Sequence, residues 1–472
     1  MMGTMAMADD DPRNAAHTTD VSTRTSETGV RTAPERTTAA PAPPPGSAGA
    51  APVPSRWMLR FVIAGLVIAA LNLRPAISGL GPLLEEVRDG LGMNGTVAGL
   101  LTSVPPLCFA VFGGLAPRLA RRWGPATVVL AGMVAVTLGL ALRPFASGTG
   151  TFLAATALAL AGIALSNVLM PVVVKHWFPD RVGSMTGLYS MALALGTSAA
   201  AAVTVPMTDA LGGSWRVGLG AWAVLGALAV LPWAVVSRDR SARAPEPQAA
   251  QEAVPEETAE GEARTEARAR SEARAGAAPA LRIAKSPTAW SLGVFFGLQA
   301  SAAYITMGWL PQIFRDAGVS ASAAGVMLAV TMGMGIPLSF VLPKLAARMR
   351  HQGPLVLALG ACGLIAYAGL WFAPASGAWV WALVLGISNC AFPLALTMIG
   401  MRSRSSAGVV KLSAFAQSTG YLISIPGPLL VGALHDASGG WHVPILLMAA
   451  LMVAQMATGL LAGRDRVIED GR

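Results

Sequence analysis

The chain carries an internal repeat, and the repeated parts are apolar. Pro117-Arg118-Leu119-Ala120-Arg121-Arg122 returns 226 residues later as Pro343-Lys344-Leu345-Ala346-Ala347-Arg348. Gly99 and Gly325 are separated by the same interval, as are Trp215 and Trp441. Each copy holds six apolar stretches of the roughly 20 residues needed to cross about 30 Å of hydrocarbon. They fall near 58–82, 95–116, 126–145, 151–175, 184–206 and 216–236, then near 289–313, 321–343, 354–373, 377–400, 408–433 and 442–462. The expectation is an all-α membrane protein, with twelve transmembrane helices in two pseudo-symmetric six-helix bundles. Two similar halves in a bilayer can hold a site between them and rock about it, which suits a transporter.

Only 12% of the 472 residues are charged, about half the share of a soluble chain. The missing charge implies a surface that faces lipid. The net charge of +9 would raise nucleic acid as a partner in a soluble protein. Here the basic residues sort into alternate loops instead. Arg118, Arg121, Arg122, Lys175, Arg181, Lys344, Arg348, Arg350, Arg402, Arg404 and Lys411 fall on one side. Arg88, Arg143, Arg216 and Arg315 fall in the opposite loops. The positive-inside rule then places both termini in the cytoplasm, with the plasma membrane as location.

The expected organisation is a disordered tail (1–55), a bundle (56–237), a cytoplasmic linker (238–287), a second bundle (288–463) and a short tail (464–472). The linker contains the Glu/Ala/Arg tract of 260–268 and reads as a solvated tether. Cys108, Cys362 and Cys390 lie in apolar runs without metal-ligand or disulfide spacing. No phosphate-binding loop or catalytic constellation is present, so the chain reads as no enzyme, with no cofactor and no metal. Transport would draw on a gradient. The expected partners are a small-molecule substrate, the lipid bilayer and a coupling proton; no nucleic acid is expected, and the chain would act as a monomer.

Arg74 is the most telling residue. Counted from Phe61 it lies 13 residues into the first span, about 20 Å along a helix. A guanidinium at that depth costs roughly 2.5–3.5 kcal/mol on insertion scales. It cannot deprotonate, so it needs water, a counter-charge or an anionic ligand. Two readings stay open: an anion or polar-substrate contact, or a structural arginine bonded to neighbouring carbonyls. Pro75 follows it and weakens the helix there.

The fourth and tenth spans share Gly-Ile followed by Asn-x-x-x-Pro: Asn167 with Pro171, and Asn389 with Pro393. Residues four apart share a helix face, so each amide could answer the carbonyl its proline leaves without a donor, or line a central cavity. Gln299 and Tyr304, in the seventh span, could share a polar substrate with Arg74 or bond between helices. Asn72, Tyr189 and Gln417 are weaker cavity candidates. No carboxylate sits deep in a span; Glu85, Glu86, Asp209, Asp316 and Asp436 lie at outer ends or in loops. A lone buried positive charge therefore suits an anion or a neutral polar molecule.

The stretch Leu71-Asn72-Leu73-Arg74-Pro75-Ala76-Ile77 resembles a marker of the cyanate/2-nitroimidazole permease branch of the major facilitator superfamily. Asn167-Val168-Leu169-Met170-Pro171, Phe295-Phe296-Gly297-Leu298-Gln299, Trp309-Leu310-Pro311 and Ala391-Phe392-Pro393-Leu394-Ala395-Leu396-Thr397 are similar to the same branch. The resemblance covers nearly all of 57–462 outside the linker. It implies the major facilitator fold and a cavity lined by the first, fourth, seventh and tenth helices, which carry Arg74, Asn167, Gln299 and Asn389. Pro117, Arg118 and Arg122, with Pro343, Lys344 and Arg348, would form the gating loop motif. Pro117 stands where the wider superfamily usually has an acid, which removes the charge pairing built on it. The substrate class implied is cyanate-like or nitroheterocyclic. The rival readings are a broad drug efflux pump and a transporter-like sensor or scaffold signalling through the linker.

Overall fold

The computed structural model describes residues 56–238 and 283–470; the expected tail and most of the linker lie outside them. Among the described residues all regular structure is helical. The first half runs through α1 (Arg56–Asn72), α2 (Pro75–Ser78), α3 (Leu84–Leu91), α4 (Gly95–Trp123), α5 (Pro125–Leu142), α6 (Thr149–Trp177), α7 (Val182–Ala210) and α8 (Trp215–Val236). The second half follows as α9 (Pro287–Asp316), α10 (Ala321–Gly333), α11 (Gly335–Arg348), α12 (Gly353–Phe372), α13 (Ala378–Asn389), α14 (Ala391–Met401), α15 (Ser406–Ser424), α16 (Pro426–Ser438) and α17 (His442–Ala462).

Ten segments among the described residues are long and apolar enough to cross a membrane. The segments 287–316 and 406–438, expected as the seventh and eleventh spans, are not among them. Their polarity has a packing explanation. Helix α9 is buried along most of its length and packs on α15, α17, α10 and α16, so it meets protein rather than lipid. The outward faces of other helices are apolar: Leu138, Val224, Leu231, Ile365, Leu446 and Val453 are each more than half exposed. That is the surface hydrocarbon requires.

Four spans are broken, three of them at or just before proline. The first breaks at Leu73–Arg74 before Pro75, the eleventh at Ile425 before Pro426, the tenth at Cys390 ahead of Pro393, and the eighth at Met334. The motif expected as a loop is helical. Pro117, Arg118 and Arg122 lie inside α4, and Pro343, Lys344 and Arg348 inside α11. The helices continue because cationic side chains favour a helix C-terminus and long ones reach the interface from it.

The halves meet along two equivalent seams: α4 against α16, and α7 against α10. The repeat-related glycines sit on these seams. A Cβ on Gly99 would lie 2.8 Å from the Leu429 carbonyl oxygen, and one on Gly325 would lie 2.5 Å from that of Ala201. Both contacts are backbone against backbone. Beyond the Met334 break, α11 parts from α7.

Candidate functional site

Where the halves part, a cavity of about 430 Å³ opens. Arg74 lies on its wall, and so do Tyr304, Asn389 and Pro393. Its lining extends to Gly187, Phe340 and Leu396, near the helix ends that carry Arg181, Arg348 and Arg402. The lining is mostly apolar and contains no carboxylate and no histidine.

Arg74 occupies the gap between α1 and α2 as the N-cap of α2. Its backbone oxygen accepts from the amides of Ile77 and Ser78 and from the Ser78 hydroxyl at 3.1 Å. Among the described residues no carbonyl or carboxylate receives its guanidinium. Tyr189, Tyr304 and Tyr421 all lie within reach of its charge. These are three of the chain's four tyrosines. The alternative of an arginine closed off by backbone oxygens is thus not what Arg74 does.

Arg143 does it instead. Expected as a loop residue, it is fully buried. Its Nε donates to the Thr156 hydroxyl at 3.1 Å and its Nη1 to the Ala76 carbonyl at 3.1 Å. Its guanidinium also faces the Phe152 ring, 5.6 Å from the centroid. It therefore braces α2 from behind, two residues beyond Arg74.

The remaining candidates divide. Asn389 lines the cavity, and its Nδ2 is buried without a partner. Gln299 is not on the wall; its Nε2 donates to the Asn389 carbonyl at 3.0 Å, and its Oε1 accepts from Gln455 at 2.7 Å. Asn389 thus does not answer its own orphaned carbonyl, as the spacing with Pro393 allowed. Asn167 accepts from the Tyr189 hydroxyl, and neither residue lines the cavity. Asn72 is buried with both amide atoms unpartnered, also off the wall. Gln417 bonds within its own helix to Ser413 at 2.6 Å. Tyr421, four residues further along that helix, was not singled out from sequence. It is on the wall, stacked on Phe109 with ring centroids 5.2 Å apart.

The opposite end is closed by charged residues that sequence placed at the outer mouth. Arg315 pairs with Glu85 at 2.9 Å and Glu86 at 2.8 Å and donates to the Pro82 carbonyl. Burial weakens the Arg315 charge, but the bond to Glu86 and the nearby carboxylates outweigh it and hold the guanidinium more firmly protonated. Asp436 accepts from the Thr96 amide at 2.9 Å. Asp316 accepts from Trp441 and from Gln312, both at 2.7 Å. Burial raises the Asp316 pKa, yet the nearby His435 (3.7 Å) and the hydrogen bonds from Trp441 and Gln312 prevail and keep it below its usual 3.8.

Comparison with known proteins agrees with this architecture. The Major Facilitator Superfamily model matches residues 61–410. A Bacillus subtilis (strain 168) protein named "Uncharacterized transporter YycB" is 33% identical over 413 residues, covering 86% of this chain and 94% of that one. The 2-nitroimidazole transporter of Escherichia coli (strain K12) is 31% identical, covering 86% and 96%, and its cyanate transport protein CynX is 29% identical, covering 82% and 94%. Among solved structures, the D-xylose-proton symporter superposes with a TM-score of 0.63 at 12% identity, covering 89% of this chain and all of that one. The nucleoside transporter NupG gives 0.65 at 14% identity, covering 86% and 98%. A multi-pass helical protein with two matching halves and a cavity between them, this chain belongs to the major facilitator superfamily of transporters.

Proposed function

We propose that the chain is a secondary active transporter that moves a small anionic or polar solute across the plasma membrane by alternating access, with Arg74 as the anion anchor. The observation that carries this reading is an unpaired guanidinium on the wall of a cavity whose lining has no acid. In such low-dielectric surroundings an unpaired charge attracts an opposite one strongly. Tyr304, Tyr421 and Asn389 supply hydroxyl and amide groups beside it. The bundles 56–237 and 288–463 rock about the α4/α16 and α7/α10 seams, joined by the 238–287 linker. The open end is cytoplasmic and the ion-paired end faces outward.

The names of the relatives support a nitroheterocycle or cyanate as substrate. The cavity falls within the range of small-molecule pockets, and its apolar lining suits a flat heterocycle better than a three-atom anion. The same lining supports broad efflux of apolar compounds as a second reading. The discriminating experiment is uptake of labelled 2-nitroimidazole and of cyanate into proteoliposomes. Arg74→Ala should lower uptake 100-fold or more at normal insertion, with Arg74→Lys intermediate. Wild-type flux in Arg74→Ala would favour efflux and end the anchor reading.

A further inference from the structure

We infer that Gln299, backed by Gln455, is a positioning residue that holds the break in the tenth span and so places Asn389, whose side-chain amide nitrogen is left without a partner, at the cavity wall. Pro393 has no N–H, so the carbonyl of Asn389, four residues earlier, loses its helical donor. The obvious substitute is the Asn389 side chain itself. The structure gives that task to Gln299, whose Nε2 reaches the carbonyl at 3.0 Å from α9. Gln455, on α17, donates to the Gln299 oxygen at 2.7 Å. The second bond fixes which end of the Gln299 amide faces which neighbour, because its oxygen is occupied and only its nitrogen can point at the break. Both glutamines are buried, at 1% and 3% exposure, and neither lines the cavity.

The consequence lies on the wall. With its carbonyl served, Asn389 keeps a free Nδ2, buried and unpartnered, on a residue that lines the cavity beside Pro393. Buried donors without partners are uncommon, and this one belongs to a residue on the cavity wall, where it is covered in this conformation; a solute reaches it by shifting that cover. It suits an acceptor atom, such as a nitro oxygen, a carboxylate oxygen or a ring nitrogen, on a molecule whose negative end is at Arg74. This last step rests on the anchor reading; the positioning itself does not.

Two measurements on the full chain test it. Hydrogen–deuterium exchange of purified protein reads the break directly. Gln299→Leu should speed amide exchange across residues 386–396 tenfold or more, with a smaller rise in Gln455→Leu and little change in melting temperature. Unchanged exchange in both variants overturns the inference, and Gln455→Leu serves alone if Gln299→Leu does not fold. This measurement needs no substrate, so it decides the positioning whatever the vesicles transport. In 2-nitroimidazole uptake, Asn389→Ala and Gln299→Leu should each raise KM about tenfold with Vmax nearly kept. The double variant should be no worse than Asn389→Ala, because one side chain acts through the other; additive effects would refute the link. Arg74→Ala run in parallel separates the claims. Its loss of uptake beside wild-type KM in the other two sinks the Asn389 contact alone, whereas its wild-type uptake sinks the anchor reading.

Discussion

Arg74 and Arg143 are both guanidiniums sunk into the first bundle, and they flank the same short helix. Arg143 meets Ala76 and Thr156 and is shut away completely. Arg74 faces a cavity, with a tyrosine hydroxyl as its neighbour. A buried charge must be compensated; Arg143 is met by one hydroxyl, one carbonyl and a ring, with its Nη2 left unpartnered, whereas Arg74 is only partly buried and opens on the cavity. The difference is between an arginine held by the fold and one open to the cavity, and depth in the membrane alone does not reveal it.

Substitutions can break this comparison, and the largest effect belongs to Arg74. Arg74→Ala should abolish uptake while leaving the melting temperature within a few degrees, since no fold contact is lost. Arg143→Met should do the reverse. It frees the Ala76 carbonyl and deletes charge-assisted bonds of about 1.5–3 kcal/mol each, so detergent-solubilised protein should melt well below the wild type, with KM in the folded fraction little changed. If both variants lose uptake and stability together, the two arginines form one network and the distinction fails. A smaller effect is expected at the outer closure. Arg315→Ala removes two partly exposed ion pairs worth at most about 1 kcal/mol each. In a cysteine-free background, external maleimide should then label Thr102→Cys, buried on α4 against Gly308 of α9, roughly fivefold faster. The smallest effect is expected at Asp316. The folded Asp316 carboxyl titrates below 3.8, so its contribution is complete above that pH and disappears as pH falls through the depressed value. Asp316→Asn should flatten that acid limb of a thermal-stability profile and lower the neutral-pH plateau slightly, by the contribution the carboxylate made there.

The fold was legible because its signals are one-dimensional: span length, a fixed repeat interval and prolines that break helices. The break at Arg74 followed from Pro75, whereas depth left its surroundings open between a polar contact and neighbouring carbonyls. What stayed hidden needs azimuth, the direction a side chain takes around its helix. Gln299 and Asn389 lie on the expected helices, yet only Asn389 is on the cavity wall, while Gln299 turns to a neighbour's backbone. Arg143, beside Pro144 and Phe145 at the end of a span, has the sequence of a loop and the surroundings of a core. Tyr421 had a readable signal, the scarcity of tyrosine in the chain, because three of the four gather around one charge. The seventh span fell short of membrane hydropathy because protein rather than oil surrounds most of it; the eleventh is split at Ile425 into α15 and α16 and leaves Val410, Leu422 and Leu430 exposed.

The glycine contacts at Gly99 and Gly325 have a mechanical consequence. Packed helices usually mesh ridges into grooves, and separating them means unmeshing side chains. At these two points main chain lies on main chain, where dispersion and weak Cα–H···O attraction act, and hydrogen bonds from the Thr96 amide to Asp436 and from the Ser103 hydroxyl to the Ile425 carbonyl pin one of them. If the halves rock as proposed, each glycine contact would serve as a plain bearing without teeth, and the cost of tilting would fall on those few bonds rather than on many rotamers.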